Sequence, residues 1–385
     1  MDPKTFFKNK SLCTLPWSGF ELEPNGRVKN CVVSKDELGN INQTGIKDII
    51  GGTKNINLKK SMLRDQMPAN CGECHAQEKN RSDVMSISSR LYYHRELAKK
   101  IDMDFYDDEN NFKLKHVDLR WTNSCNQACV YCHPRFSSKW AKEMGVTMKS
   151  NVDAKQEVKD FVFENIKDLE NVYLAGGEPM LMKENLEFLK LLKQHNPDCS
   201  IRVNTNLSTT STGIFDLLCT FPNVHWTVSL ETIEREYEYI RHFGSWKDFT
   251  TNLDTIQKLD HRISFNMLHF ILNHKSLFGC VDYLKGIGFH DNSFVIGPMH
   301  TPPHLHLLNL PDTMVENVLK TLQQRIDKGA EGYLKNSYDN LLKHFSTTAW
   351  KKDIANFVKE TEERDKRRGT DCRSVFPELF EELDV

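Results

Sequence analysis

From residue 171 onward the chain alternates short apolar strands with amphipathic helices, and this rhythm limits the fold more than any other feature. The sequence predicts strands at 172–175, 200–206, 224–231, 263–272 and near 293–296, separated by helices over 183–194, 212–219, 248–260 and 276–285. Strand–helix–strand repeats of this kind give a parallel sheet with helices packed outside it. An earlier strand sets Val117 and Leu119 against Lys115, Asp118 and Arg120. Helices over 136–145 and 154–170 follow it, making six units. Sites in such sheets form at strand C-terminal ends, which singles out Asn204, Asn206, Ser229, Glu231, Arg241 and Asn266. Each also has a plain structural reading. The amides and the serine serve equally as caps or backbone partners, and Arg241 as one half of a surface ion pair.

The strand around Val117 runs into the polar stretch Thr122-Asn123-Ser124 and then into Cys125-x3-Cys129-x2-Cys132, with Tyr131 before the last cysteine. Three thiolates this close need a cationic centre, and soft sulfur ligands select zinc, copper(I) or iron–sulfur clusters. Zinc wants a fourth ligand nearby, and His133 is badly placed because it adjoins Cys132. A [4Fe–4S] cubane held by three cysteines instead keeps one iron open. Forty-four residues beyond Cys132 comes Gly176-Gly177-Glu178-Pro179, directly after a predicted strand. Its two glycines let the backbone pass close to a ligand before the proline turns it away.

Eleven cysteines are more than core filling requires, and seven of them fall in groups. Upstream of the triplet, Phe20 and Leu22 alternate around Glu21, and Pro24-Asn25-Gly26 and Val28 follow. This predicts a β-hairpin with Asn-Gly at both positive-φ turn positions. The hairpin brings Cys13 and Cys31 to its open end. Cys71-Gly-Glu-Cys74 adds two ligands on a tight loop. Four such cysteines close either a structural zinc site or an iron–sulfur cluster. A redox-active pair at Cys71 and Cys74 lacks the surrounding βαβ pattern. Cys199, Cys219, Cys280 and Cys372 are scattered and read as small buried hydrophobes. Cys280 and Cys372 are also the candidate hydrogen donors, being without another assigned role.

The Cys125-x3-Cys129-x2-Tyr131/Cys132 pattern resembles the radical S-adenosylmethionine (SAM) family, and Gly176–Pro179 matches its Gly-Gly-Glu-Pro motif. The Cys13-x12-Gly26-x4-Cys31 spacing is similar to the opening of the auxiliary-cluster domains, SPASM and its shorter form twitch, that accompany many members. Here that module precedes the core, whereas in most relatives it follows. The resemblance implies an open (β/α)6 partial TIM-like barrel with an N-terminal auxiliary-cluster module and a C-terminal helical extension. It implies that Cys125, Cys129 and Cys132 ligate a [4Fe–4S] cluster whose open iron takes SAM. Tyr131, Gly176, Gly177, Glu178, Pro179, Asn204, Asn206, Ser229, Glu231 and Arg241 then line the cofactor, and Cys13, Cys31, Cys71 and Cys74 ligate an auxiliary [4Fe–4S] cluster. Reductive cleavage of SAM to a 5′-deoxyadenosyl radical follows, with an external flavodoxin- or ferredoxin-like electron donor. The substrate is a peptide or small polar molecule, or alternatively a sugar or nucleoside. A zinc-stapled, non-catalytic binding protein is the competing reading of another class.

The expected domains are 1–110 for the auxiliary module, 111–310 for the core and 311–385 for the helical extension, with an acidic linker over 102–111. Within the first, residues 34–68 read as partly helical, and residues 84–112 as a helix carrying Tyr93 and His94. The net charge of −2 argues against phosphate-backbone binding as the main role. No stretch reads as a signal peptide or a membrane span, so the expected location is cytoplasmic. His300-Thr-Pro-Pro-His304-Leu-His306 has no cysteine or carboxylate following at ligand spacing and reads as a stiff loop near the barrel mouth. Helices are expected over 313–328, 331–345 and 348–368.

Overall fold

The computed structural model describes residues 11–79, 88–97, 103–147 and 152–384. They form an α/β fold with a mixed sheet and flanking helices, divided into two compact units. The first takes the chain up to Ser124 with Met144–Val203 and Thr212–Val224. The second takes Cys125–Glu143, Asn204–Ser211 and His225–Val385.

In the first unit, β1 (Gly19–Leu22) and β2 (Arg27–Lys29) form the expected hairpin, and β3 (Gly39–Asn40) adds to β2. β1 also pairs in parallel with β4 (His116–Leu119), which pairs with β5 (Asn171–Leu174) and that with β6 (Ser200–Thr205). The hairpin is therefore joined to the parallel strands by backbone hydrogen bonds. Its turn differs from the expectation. Gly26 N–H donates to Glu23 O at 2.9 Å, so Pro24 and Asn25 are the central residues, and only Gly26 has positive φ, at +85°. Proline presets the first central position of a type I turn, and glycine then takes the left-handed place that follows it.

Two further expectations change on this unit. Cys71-Gly-Glu-Cys74 is helical, with Cys71 closing the turn Ala69–Cys71 and Cys74 on helix Gly72–Lys79. The segment expected as a linker is packed instead. Tyr106 is fully buried in a cluster with Trp17, Leu58 and Met62, and the Trp17 indole donates to Asp108 O at 2.8 Å. The aromatic residues inside that acidic stretch supply the apolar surface that holds it down. Residues 80–87, which include the start of the stretch expected as helical, lie outside the described residues, as does the His94 side chain.

The second unit carries β7 (Val224–Ser229), β8 (Arg262–His269) and β9 (Phe294–Pro298), all parallel. Helices Asp312–Asp327, Gly332–Thr347 and Ile354–Arg368 follow. The last begins six residues later than expected because the preceding residues are spent on tertiary bonds. The Trp350 indole and Asp353 N–H both donate to Asn309 Oδ1, and Lys352 reaches Leu310 O. Asp353 then caps the helix through Asn356 N–H. Among the described residues no helix is long and apolar enough to cross a membrane.

Burial of imidazoles makes the fold acid-sensitive. Burial pushes His116 on β4 down to about 4 and His269 on β8 down to about 3. Between those values and the ordinary histidine range near 6.5, the unfolded chain binds more protons than the folded one, so stability rises with pH across that window. For His116 the change is on the order of 3 kcal/mol. Thermal unfolding followed between pH 7 and pH 4 is expected to show a falling midpoint, and His116→Gln is expected to flatten the slope. A slope unchanged in that variant would refute the assignment.

Candidate metal and cofactor site

Four thiols of the first unit converge. Cys13 and Cys31 flank the hairpin at its open end, and helix Gly72–Lys79 brings up Cys74 beside Cys71. All four are free thiols. Burial pushes each of them up, and the neighbouring thiols push Cys13, Cys31 and Cys71 further: Cys13 feels Cys71 and Cys74, Cys31 feels Cys13 and Cys74, and Cys71 feels Cys31 and Cys74. Arg90 opposes that rise at Cys13, Cys71 and Cys74. It is anchored by Leu12 O at 2.9 Å and by the Glu78 carboxylate. Four sulfurs on one zinc ion stand about 3.8 Å apart, given bonds near 2.3 Å. Among the described residues, the group of ligand atoms that draws within 4.8 Å is a different one, made of histidines. Thiols near enough to feel one another suit shared ligation of one inorganic centre.

A ladder of buried charge crosses the same unit. Lys29, Glu21, Asp118, Tyr173 and Arg202 are successive register partners on β2, β1, β4, β5 and β6, so their side chains share one face of the sheet. Lys29 and Arg120 flank Glu21 at 3.3 and 3.2 Å. Burial and then Asp118 push the Glu21 carboxyl up to about 7. Tyr93 packs on this face, its ring 4.3 Å from that of His116.

The Gly-Gly-Glu-Pro loop packs against the segment that leads into the three-cysteine loop. Gly176 takes φ +113°. A Cβ on Gly177 would lie 2.1 Å from Ser124 O, which no side chain tolerates. Glu178 N–H donates to that same oxygen at 2.7 Å, and its buried carboxylate accepts from Met180 N–H. Pro179 opens the turn Pro179–Leu181. The backbone here is thus fitted closely to residues 122–124, immediately before Cys125. Gly177→Ala is expected to displace this loop and cost about 1–3 kcal/mol in urea unfolding, with the overall circular-dichroism spectrum retained. Unaltered stability would show that the close fit is dispensable.

In the second unit Cys125, Cys129 and Cys132 are free thiols on the loop after β4. Cys132 N–H donates to Cys129 O, while Ala128 and Val130 N–H donate to His242 O and Ile240 O. The loop is thereby laced to residues 240–242. Burial pushes the Cys129 thiol up, and burial with Cys129 beside it pushes Cys132 up to about 12. Arg241 works against both. Its guanidinium is buried, makes two hydrogen bonds to Glu231 at 2.9 and 2.7 Å and one to the Tyr131 hydroxyl at 2.8 Å, and lies 3.8 Å from Cys129 Sγ. Tyr131 donates to Glu231 at 2.8 Å. Burial opposes the Arg241 charge, and Glu231, Tyr131 and Cys129 more than offset it. Asn206 Nδ2 stands 3.8 Å from Cys125 Sγ and 3.1 Å from Asn126 Oδ1. Asn204 Oδ1 is buried without a hydrogen-bond partner. Ser229 is half-buried at the end of β7, beside the exposed Asn266 of β8. Cys280 and Cys372 are 0% and 1% exposed, and burial pushes both thiols up, the condition of inert structural cysteines.

The histidines of 300–306 are more engaged than a loop near the mouth. His306 is buried and stacked on Trp350 at 3.9 Å. His344, which nothing in the local sequence pairs with it, faces it at 3.1 Å between Nε2 atoms. With His300 these rings form the group within 4.8 Å. Leu308 N–H donates to His306 Nδ1 at 3.1 Å, so the neutral ring carries its proton on Nε2 and aims it at His344. His344 Nδ1 in turn meets the Thr348 hydroxyl. A metal on His306 Nε2 requires the opposite tautomer. His306 and His344 form a hydrogen-bonded imidazole pair, with the His300 ring beside them at 5.0 Å from that of His344.

Residues 119–278 match the Radical SAM superfamily, and residues 13–75 match the SPASM iron–sulfur cluster-binding domain. The chain thus carries a radical SAM superfamily domain with a SPASM-type iron–sulfur domain ahead of it in sequence. Among curated proteins it is similar to the GTP 3′,8-cyclase of Nautilia profundicola, at 28% identity over 26% of this chain and 30% of that one. It also matches that of Campylobacter lari, at 24% identity over 40% and 46%. The chain thus spans less than half the length of these relatives. Among solved structures, it matches anSMEcpe with bound AdoMet at 13% identity and a TM-score of 0.40, covering 54% of this chain and 60% of that one. TYW1 with a lysine-pyruvate adduct matches at 14% identity and a TM-score of 0.31, covering 67% and 90%.

The residues present fit the implied groups: two sets of reduced cysteines, a glycine loop that no Cβ enters, and the orphaned Asn204 oxygen. The clamp behind Cys129 is the most exposed to mutation. Glu231→Gln leaves Arg241 buried without its anionic partner, and is expected to destabilise by about 3–5 kcal/mol. Urea unfolding with the double variant Glu231→Gln/Arg241→Gln as the cycle partner measures it. A loss under about 1 kcal/mol would mean the pair is not coupled.

Proposed function

We propose that this chain is a radical SAM enzyme with a partial (β/α)6 barrel at 111–310, an auxiliary-cluster module at 1–110 and a helical extension at 311–385. Cys125, Cys129 and Cys132 hold a [4Fe–4S] cluster, and Cys13, Cys31, Cys71 and Cys74 hold the auxiliary one. The observation that carries the reading is the presence of two separate sets of free, grouped cysteines within the two matched segments. When bound, the three-cysteine cluster supplies one-electron cleavage of SAM and so the 5′-deoxyadenosyl radical. Gly176, Gly177 and Pro179 bring backbone against the methionine part of SAM, and Glu178 orients it. Asn204, Asn206 and Ser229 offer polar contacts at strand ends. Arg241, Glu231 and Tyr131 fix the cluster loop from behind. An external flavodoxin- or ferredoxin-like protein delivers the electron.

The substrate is a peptide or small polar molecule whose radical passes an electron to the auxiliary cluster. The buried ladder favours this class. Lys29, Arg120 and Arg202 stand with Glu21, Glu23 and Asp118, a set of both signs that offers partners to the amino and carboxylate groups of a polar molecule. A nucleotide substrate is the second reading, favoured by the likeness to the GTP 3′,8-cyclases.

Anaerobic reconstitution is expected to give about eight irons per chain, and SAM with dithionite to give 5′-deoxyadenosine. Cys129→Ala is expected to abolish that product. Cys74→Ala is expected to lower the iron by about half while SAM cleavage persists. Wild-type protein without iron, or cleavage surviving Cys129→Ala, would overturn the reading. Deuterium transfer from candidate peptides or nucleotides into 5′-deoxyadenosine decides between substrates.

A further inference from the structure

The C-terminal extension places a charge in the cluster loop. Helix Ile354–Arg368 ends at Gly369, whose φ of +66° closes it. Its last turn carries Lys366, Arg367 and Arg368, as helix C-termini often do. Arg367 fits that ordinary role, with its side chain 38% exposed beside Glu143. Arg368 does not, because its side chain is only 3% exposed. Its guanidinium lies over the Trp140 ring at 4.6 Å, and the Trp140 indole donates to Cys129 O at 2.6 Å. Glu143 accepts from Arg368 Nε at 3.0 Å and lies 2.9 Å from Nη2. Even so, neither Nη1 nor Nη2 has an aligned hydrogen-bond acceptor.

Burying a guanidinium with one nitrogen, Nη1, left without any partner is costly unless something nearby accepts from it. Burial indeed pulls Arg368 below its ordinary range, against the pull of Glu143, although an arginine stays protonated in proteins. Through Trp140, whose indole is bound to Cys129 O, the guanidinium is tied to the backbone of the three-cysteine loop. Glu143 serves Arg367 and Arg368 together, with Arg367 Nε 3.2 Å away, whereas Arg241 has Glu231 to itself. One carboxylate against two guanidinium groups leaves a net positive charge beside the loop, and Arg368 is its buried member.

We propose that Arg368 is a positioning residue for the three-cysteine centre: it holds a fixed, buried positive charge beside the loop that carries the sulfur-bound group and so raises its reduction potential. This rests on the reading of Cys125, Cys129 and Cys132 as cluster ligands. Net charge and hydrogen bonding to sulfur are the protein's levers on the potential of an iron–sulfur cluster. One electron from an external donor protein, or from dithionite, makes the centre more negative. A buried cation beside it favours that reduced form, with no bond made or broken in this chain. The C-terminal extension therefore takes part in setting the electron affinity of the core.

The test uses full-length, anaerobically reconstituted protein and variants Arg368→Gln, Arg368→Lys and Arg367→Gln. Iron content serves as the check on assembly, and redox titration followed by electron paramagnetic resonance as the readout. At a fixed potential, Arg368→Gln is expected to lower the ratio of reduced to oxidised three-cysteine centre about tenfold, a downward shift of about 59 mV for one electron. Arg368→Lys is expected to retain most of the wild-type ratio, and Arg367→Gln all of it. A fully loaded Arg368→Gln protein titrating like wild type would overturn the proposal. So would equal shifts in Arg368→Gln and Arg367→Gln, which would indicate a diffuse surface effect, or loss of iron in Arg368→Gln alone, which would indicate a role in assembly. Wild-type protein without iron would remove the cluster reading itself, and with it this inference.

Discussion

Grouped thiols are tolerable in a protein interior only when they stay protonated or when a cationic centre takes their charge. That constraint organises this chain. Desolvation and mutual repulsion raise the thiols of both sets, and the chain answers with buried arginines: Arg90 beside the upstream set, and Arg241 and Arg368 beside the triplet. Each arginine is itself buried and therefore needs an anchor. Glu78, Glu231 and Glu143 supply those anchors. The acidic residues are thus third in a sequence that starts from sulfur, and their burial follows from the need to hold cations near thiolates.

The parallel pairing of β1 with β4 is the second organising fact. It turns the cysteine-bearing hairpin from an appended module into an added edge of the strand that leads to the three-cysteine loop. The register then carries a row of ionisable side chains from the cation Lys29 through the two neighbouring acids Glu21 and Asp118 to Tyr173 and Arg202. Such a row is expensive to bury, and cheaper apolar residues would have packed the same face.

Much of this was legible in the sequence because the signals were local. Strand–helix alternation located the parallel strands to within a few residues, since each element carries its own apolar period. The two cysteine sets and Gly176–Pro179 were legible because spacing on one loop or one turn is read directly from the chain. What was not legible depended on tertiary partners. Nothing near residue 306 announces His344, and nothing near Cys129 announces Arg368 from the far end of the chain. The acidic stretch around Tyr106 read as a linker because its charge outweighed two aromatic residues whose burial beside Trp17 only the fold reveals. The hairpin turn was misjudged for a local reason: Asn-Gly was weighed without the proline before it, which shifts the central positions back by one residue.

The two arginines beside the triplet illustrate how similar side chains acquire different roles from their partners. Arg241 is held in a fork by Glu231, with the Tyr131 hydroxyl completing the bond set. Its charge is largely cancelled locally, so its contribution is geometric: it fixes the loop between Cys129 and Cys132. Arg368 keeps one off-axis carboxylate and an aromatic face, and cation–π attraction supplies only about 0.5–2 kcal/mol. A neutralised arginine orients what it touches, whereas an incompletely neutralised one projects a field. The loop has one of each, and the second comes from a helix that would otherwise read as a solvated C-terminal tail.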